Sequence, residues 1–278
     1  MSVRDHRKNY GDSNKMEQDF HEEEFYVTVG DVRLYCEKRT PPKSEPEKPV
    51  VLFLHEGLGS VRQWKDFPEK FIQMCKQPVL LYDRVGYGKS TPQKAKRGLD
   101  YLHREEEVLT RLIRKLNVKN YILLGHSEGG SLALIHAARH PEGLQKVITL
   151  SANTQEEPCI TPGIEKVREL YEKADSKLKQ ALQKYHGTQC DAVFYAWCDT
   201  WTAPFFQQWN ILSELKQIRV PVLAFHGRAD QYTSLRQIEN IRNHIPGKKE
   251  IFILSGASHH PHFDFPEKVL NAICAFLD

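Results

Sequence analysis

The chain has 278 residues, of which 40% are hydrophobic and 27% are charged, and its formal net charge is +3. This length is compatible with one large α/β unit, which would bury about three quarters of its unfolded surface. So small a charge, without a dense stripe of Lys and Arg interleaved with aromatics, argues against a nucleic-acid partner and favours a small-molecule partner.

The N-terminal residues 1–24, MSVRDHRKNYGDSNKMEQDFHEEE, are polar and are predicted to form a flexible tail. They lack the apolar core of a signal peptide, and the chain holds no run of about eighteen apolar residues. We therefore expect a cytosolic protein with no membrane partner. The six cysteines are dispersed and form no CxxC pair, so they are interpreted as buried or idle thiols.

Apolar, β-branched runs alternate with amphipathic helical runs through the first half of the chain. EFYVTV and VRLYCEK, joined by Gly30 and Asp31, predict a hairpin. The next strands are VVLFLH, PVLLYD, YILLGHS and KVITLS, separated by helical stretches near DFPEKFIQM, LDYLHREEEVLTRLIRKL and SLALIHAARH. This order predicts an α/β fold with a mostly parallel twisted sheet and helices on both faces.

The alternation stops at residues 153–218, where the patterns are only helical, as in DAVFYAWCDTW. Strand patterns return with VPVLAFHG and EIFILSG, and the chain closes with the helical FPEKVLNAICAFL. We interpret residues 25–152 and 219–278 as the core and residues 153–218 as a helical lid inserted between two strands of one sheet.

GHSEGG places Ser127 at the junction of a predicted strand and a predicted helix, with glycines on both sides. A serine at such a sharp turn can act as a nucleophile if an imidazole takes its proton and a carboxylate orients that imidazole. Asp230 follows VPVLAFHGRA and His259 lies in the loop after EIFIL. The chain order Ser, Asp, His therefore predicts the catalytic residues Ser127, Asp230 and His259.

Two alternatives concern the partners of the serine. His260 and His262 share the loop of His259, and three crowded histidines could indicate a metal site. No carboxylate or cysteine has ligand spacing with them in the sequence, so no metal is expected, and the preceding Gly256 favours His259. An acid after KVITLS is also conceivable, but the residue there is Asn153, which carries no charge.

An oxyanion hole requires two backbone donors. We assign one to the N–H of Glu128, directly after the nucleophile, and the other to the N–H of Leu58 in HEGLGS. The side chain of Glu128 is either a solvated carboxylate that complements the helix dipole or a substrate contact. Among the aromatics of the lid, Trp197 and Trp201 are predicted to bind substrate, because a lid would hang over the serine.

These motifs together resemble the α/β-hydrolase family: GHSEGG after a strand, HEGLGS before it, DRVGYGKS between, and GRAD and GASHHPHFDFPE downstream. The resemblance runs from about Phe25 to the C-terminus, is weakest through the lid, and is greatest to lidded esterases and carbon–carbon hydrolases. One departure is Glu56 before Gly57, where many members have His-Gly.

The resemblance implies acyl transfer to water without a cofactor. Ser127 in the place of an aspartate excludes the mechanism of epoxide hydrolases and haloalkane dehalogenases, and the HGGPG loop usual in prolyl aminopeptidases is absent. We expect a serine esterase for small to medium apolar or aromatic esters. Alternatives are a carbon–carbon or thioester hydrolase with the same residues, or a non-catalytic receptor or scaffold. The oligomeric state is left open.

Overall fold

A computed structural model describes residues 20–43 and 47–278. Its centre is an eight-stranded sheet in the order β1-β2-β4-β3-β5-β6-β7-β8. β1 and β4 pair antiparallel with β2, and the other neighbours are parallel. The strands are β1 His21–Val29, β2 Val32–Thr40, β3 Val50–Leu54, β4 Val79–Tyr82, β5 Tyr121–His126, β6 Leu144–Leu150, β7 Val222–Gly227 and β8 Lys249–Leu254.

Helices cover both faces of this sheet. Successive residues of β5 point to opposite faces: Leu124 packs in one core cluster with Phe71, and Leu123 packs in the other with Leu132. The helices are α1 Phe67–Cys75, α2 Tyr101–Lys115, α3 Glu128–Ala138, α4 Ile160–Tyr171, α5 Lys177–His186, α6 Cys190–Trp201, α7 Leu212–Leu215, α8 Arg236–His244, α9 Pro261–Asp264 and α10 Pro266–Leu277. Short 3₁₀ turns lie at Val61–Trp64, Gly187–Gln189 and Pro204–Gln208. The predicted α/β fold class is confirmed.

The chain between β6 and β7 is helical and contributes no strand to the sheet. We call α4 to α7 with their connections the helical insertion; it corresponds to the segment predicted as a lid. Ser176 caps the N-terminus of α5, since its side chain accepts a hydrogen bond from the N–H of Lys179 at 3.0 Å. No helix in the two described ranges is both long enough and apolar enough to cross a membrane.

The predicted polar tail needs a correction at its end. Residues 1–19 lie outside the described residues, but β1 begins at His21, so residues 21–24 belong to the edge strand. Their charges have partners: Glu22 lies opposite Arg39 in the register, and Arg39 Nη2 is 3.5 Å from Glu22 Oε1. Glu24 forms a second ion pair with Lys89 at 3.1 Å. The acidic run is thus held by basic partners on neighbouring segments.

The interpretation of all six cysteines as buried or idle thiols is wrong for two of them. Cys75, the last residue of α1, forms a disulfide with Cys274 in α10, across a sequence separation of 199. The two helices pack side by side on the same face of the sheet, and this tertiary contact leaves no local pattern in the sequence. The other four cysteines carry free thiols, and of these only Cys159 is exposed.

We expect the double substitution Cys75→Ser and Cys274→Ser to lower the free energy of unfolding by about 2–4 kcal/mol, because the cross-link restricts the unfolded chain. For a chain of this size, that change corresponds to a fall in Tm of about 4–15 °C. Thermal unfolding of both proteins measures it. Cys159→Ser is the matched control and should leave Tm unchanged. An unaltered Tm in the double variant would contradict a stabilising role for the disulfide.

Candidate active site

Ser127 occupies a sharp turn between β5 and α3. Its backbone angles are φ 52° and ψ −119°, a strained region for a residue with a side chain. The turn depends on glycine, since a Cβ on Gly129 would lie 1.9 Å from the carbonyl oxygen of Leu54, and one on Gly125 would lie 2.2 Å from that of Gly129. The serine is thereby held at the carboxyl end of the sheet, the geometry of a nucleophile elbow.

The structure brings the three predicted catalytic residues into one hydrogen-bonded chain. His259 Nε2 lies 2.9 Å from Ser127 Oγ, and His259 Nδ1 lies 2.7 Å from Asp230 Oδ2. The carboxylate accepts from Nδ1–H, which leaves Nε2 with a lone pair for the serine proton. Asp230 and His259 come from the loops after β7 and β8, which end at the same edge of the sheet as β5.

Asp230 is fixed by further donors. Its Oδ1 accepts hydrogen bonds from the N–H groups of Tyr232 at 2.8 Å and Thr233 at 3.1 Å, and its Oδ2 accepts one from the Thr233 hydroxyl at 3.0 Å. Burial alone would raise the pKa of Asp230, but the His259 imidazole and these donors hold that pKa well below its ordinary value. The carboxylate therefore stays ionised beside the imidazole.

Of the two residues predicted as oxyanion donors, Leu58 lines the same cavity as Ser127, and Glu128 follows Ser127 directly in the chain. Glu128 is the first residue of α3, so its N–H has no acceptor within the helix. The N–H of Leu58 has no hydrogen-bond acceptor within residues 20–43 and 47–278. The carbonyl of Leu58 accepts from His186 Nε2 at 2.9 Å, which ties this loop to the helical insertion. Neither N–H group thus has an acceptor among the described residues.

The side chain of Glu128 fits neither interpretation made from the sequence. It is 1% exposed, accepts from Arg84 Nη2 at 3.0 Å and from Trp201 Nε1 at 2.8 Å, and lies 3.9 Å from Arg97 Nη1. Burial alone would raise the pKa of Glu128, but Arg84 and Arg97 hold it below its ordinary value. The buried carboxylate links the core to the insertion, since Arg84 and Arg97 belong to the core and Trp201 to the insertion. The sequence does not reveal this role, because these partners are distant from Glu128 along the chain.

A cavity of about 340 Å³ lies between the serine and the helical insertion. Trp197 and Trp201, the residues predicted to bind substrate, both line it together with Ser127 and His259. Trp201 is 2% exposed and bonded to Glu128, so most of its surface is packed inside the protein. Trp197 is less buried and lies against the loop of Gly57, where a Cβ would come within 2.4 Å of its ring.

Two polar side chains in this cavity were not assigned a role from the sequence. Asn153, dismissed there as an acid, lines the cavity while 6% exposed, and its Oδ1 has no hydrogen-bond partner. Glu56, noted only as a departure from the family pattern, also lines the cavity. Each lies within three residues of the end of an apolar strand, and this position was the available signal, since strand ends meet at this edge of the sheet.

The fold brings to the histidine loop a carboxylate that has no ligand spacing with it in the sequence. Glu56 Oε2 lies 3.4 Å from His260 Nε2 and 3.5 Å from Nδ1 of His126, the residue before the nucleophile. The parallel sheet joins the ends of β3, β5 and β8, although these residues are far apart in the chain. Burial lowers the pKa of His126 to about 3, so its imidazole is neutral. These three form one of two groups among the described residues that could hold a metal ion.

Comparison with known proteins identifies the family to which this architecture belongs. A family model described as the alpha/beta hydrolase fold matches residues 49–201, more than half of the chain. The chain belongs to the α/β-hydrolase fold family. The predicted resemblance is confirmed, and the protein is a hydrolase of this fold.

Relatives of this α/β-hydrolase bear several hydrolase names. Serine hydrolase BPHL from Homo sapiens is 28% identical over 230 residues, 79% of this chain and 76% of that protein. A putative proline iminopeptidase from Mycoplasma genitalium is 33% identical over 125 residues, 44% of this chain and 38% of the relative. The crystal structure of proline iminopeptidase from Mycobacterium smegmatis has a TM-score of 0.68 and 20% identity, covering 92% of this chain and 97% of that one. The last likeness concerns the fold alone.

Proposed function

We propose that this α/β-hydrolase cleaves small to medium apolar or aromatic carboxylic esters through an acyl-enzyme formed on Ser127. One observation carries the proposal: the hydrogen-bonded chain from Ser127 through His259 to Asp230, with distances of 2.9 Å and 2.7 Å, beneath a cavity that is mostly apolar. This arrangement of nucleophile, base and orienting acid performs acyl transfer on several unrelated folds.

In the proposed reaction, Ser127 Oγ attacks the ester carbonyl while His259 Nε2 takes the hydroxyl proton. The oxyanion that forms accepts hydrogen bonds from the N–H groups of Leu58 and Glu128. Collapse of this intermediate breaks the bond to the alcohol, which receives the proton from His259. Water then attacks the acyl-enzyme with the same imidazole as base, and the acid leaves. Asp230 stays ionised throughout and holds the imidazole in the required tautomer.

The lining of the cavity supports an apolar acyl or aryl group. All eight residues that α4, α5 and α6 contribute are apolar: Ile160, Ile164, Val167, Leu170, Leu178, Leu182, Trp197 and Trp201. A volume of about 340 Å³ lies at the small end of ligand pockets, which favours compact substrates over long acyl chains. The insertion acts as a lid in this proposal, as its sequence predicts.

Thioester and carbon–carbon hydrolysis use the same three residues, and relatives named proline iminopeptidase add an amide substrate to the comparison. A panel of p-nitrophenyl esters of increasing acyl length, an acyl thioester, a vinylogous diketone and proline p-nitroanilide separates these activities. We expect the highest kcat/KM on short to medium or aromatic esters. A higher kcat/KM on the anilide, the thioester or the diketone would overturn the ester assignment and leave the acyl-enzyme mechanism in place.

Trp197→Ala is expected to raise KM for an aromatic ester roughly tenfold with little change in kcat, because it removes an apolar wall of the cavity and no reacting group. Initial-rate kinetics measure both constants. Tyr195→Ala is the matched control: this residue is on the same helix but does not line the cavity of Ser127. Equal values of KM in wild type and Trp197→Ala would show that substrate does not contact this ring.

A cytosolic location stays a prediction from the sequence. The disulfide between Cys75 and Cys274 bears on it, since disulfides persist in oxidising compartments and are rare in the cytosol. Counting free thiols in the denatured protein, isolated under conditions that block thiol exchange, tests the two expectations. Four free thiols indicate an oxidising compartment, and six indicate a reducing one.

A further inference from the structure

Three side chains beside the proposed active site form a cluster that the hydrolytic mechanism does not use. Glu56 follows β3, His126 ends β5 and His260 follows β8, and their nearest ligand atoms all lie within 4.8 Å of one another. None of them touches Ser127 Oγ or forms the hydrogen bonds of Asp230. A carboxylate and two imidazoles are a common set of protein ligands for Zn²⁺.

The hydrogen bond of His126 decides which of its nitrogens faces the carboxylate. His126 Nε2 lies 2.8 Å from the carbonyl oxygen of His259, which can only accept, so Nε2 carries the hydrogen. The other ring nitrogen, Nδ1, faces Glu56 Oε2 at 3.5 Å. Nδ1 is therefore the atom that His126 would offer to a cation bound beside this carboxylate. Metal-binding histidines are commonly oriented in this way, by donation from the other ring nitrogen to a carbonyl.

The spacing also suits a tetrahedral ion. Zn²⁺ binds nitrogen and carboxylate oxygen at about 2.0–2.1 Å, so two ligand atoms of a tetrahedral site are about 3.3 Å apart. Glu56 Oε2 lies 3.4 Å from His260 Nε2 and 3.5 Å from His126 Nδ1. Small movements of these side chains would bring all three atoms to bonding distance. His260 is the most exposed of the three side chains, at 30%.

The position of the cluster determines what a bound ion would do. Glu56 and His260 line the cavity that contains Ser127 and His259, so a fourth coordination position would open into it. His126 also holds the carbonyl of His259. A divalent charge here would oppose the positive charge that His259 acquires when it takes the serine proton. The ion would slow acylation without taking part in it.

We propose that Glu56, His126 and His260 form a Zn²⁺ site whose occupancy reversibly inhibits hydrolysis at Ser127. The inhibition rests on the proposed function, whereas the binding does not. No ligand of the site is one of the three proposed catalytic residues, so the metal-free protein is the active form. Chelators then leave the metal-free enzyme unaffected and restore activity after addition of Zn²⁺.

Binding is tested first and without any activity measurement. Metal-free protein is titrated with Zn²⁺ against a chromophoric chelator, and with Co²⁺ while the visible absorption of the ion is recorded. We expect one ion per chain, bound at concentrations on the order of 10 µM or below, and the strong absorption of four-coordinate Co²⁺. His260→Gln and Glu56→Gln should each weaken binding by about 100-fold or more.

Matched controls separate this site from adventitious binding. His103→Gln removes an imidazole from another histidine and glutamate pair, 2.9 Å from Glu214, and Cys159→Ser removes the exposed thiol. Both should bind Zn²⁺ as the wild type does. Equal affinity in wild type, His260→Gln and Glu56→Gln would overturn the site, as would the absence of binding.

The inhibitory effect is measured on whichever substrate of the panel is turned over, with each variant referred to its own metal-free rate. We expect Zn²⁺ to inhibit wild type, His103→Gln and Cys159→Ser at the concentrations that fill the site, and His260→Gln only at concentrations about 100-fold higher. Site-dependent binding with an unchanged rate would overturn the inhibitory role. A protein that binds Zn²⁺ at this site but hydrolyses nothing would overturn the proposed function and leave the site standing.

Discussion

His259→Ala is expected to lower kcat by about 10⁴- to 10⁶-fold, the largest effect of any substitution outside Ser127. Among the described residues, His259 is the only histidine whose ring is hydrogen-bonded to Ser127 Oγ, at 2.9 Å. No other side chain can replace this imidazole as base or as acid. Single-turnover and steady-state rates on the best ester of the panel measure the loss. Circular dichroism and Tm of the variant confirm that it is folded.

The neighbouring histidines provide the control for this substitution. His260 pairs with Glu56, and His262 packs against His126 and Phe263, so neither is hydrogen-bonded to the serine. His260→Ala and His262→Ala are expected to lose far less activity than His259→Ala. A loss of 10⁴-fold or more in His260→Ala alone, with His259→Ala active, would show that the base is the other histidine.

Asp230→Asn is expected to lower kcat by about 10⁴-fold while leaving the fold intact. The carbonyl oxygen of the new amide can keep the hydrogen bonds from the N–H groups of Tyr232 and Thr233 that Oδ1 accepts now. The amide NH₂ then points at His259 Nδ1 and forces that nitrogen to accept. The proton moves to Nε2, and the imidazole can no longer take the serine proton.

Asp83→Asn is the matched control for this change. Asp83 is also a buried carboxylate that accepts two backbone hydrogen bonds, from Val61 at 2.7 Å and Lys89 at 2.8 Å, but it makes no contact with His259. Its substitution should act mainly on stability, lowering Tm with a much smaller loss of kcat than Asp230→Asn causes. A kcat for Asp230→Asn close to that of wild type would show that Asp230 is not the acid that orients His259.

The features predicted correctly from the sequence are those with a local cause. Ser127 stands between a run of apolar residues and a helical pattern, and its flanking glycines are required by contacts of 1.9 Å and 2.2 Å that a Cβ would make. Asp230 and His259 lie in the loops that follow β7 and β8. In a parallel sheet, strand ends converge whatever their separation in the chain, so the order of motifs was enough to predict that these residues meet.

The features that were missed depend on which distant segments touch. The buried state of Glu128 requires Arg84 and Trp201, which approach from a loop after β4 and from the end of α6. A carboxylate in the first turn of a helix has the same sequence pattern whether solvent or an arginine faces it. The pairing of Glu56 with His260 is set by the order of strands in the sheet, which the sequence does not specify.

The central claim is that Ser127 forms the acyl-enzyme, and intact mass spectrometry after reaction with a fluorophosphonate probe tests it most directly. We expect one adduct per wild-type chain, located by peptide mapping on Ser127, and none on folded Ser127→Ala, which keeps His259 and Asp230 but has no nucleophilic oxygen. His103→Gln should be labelled as the wild type is. An adduct on Ser127→Ala, or a wild-type adduct on any other residue, would contradict the claim.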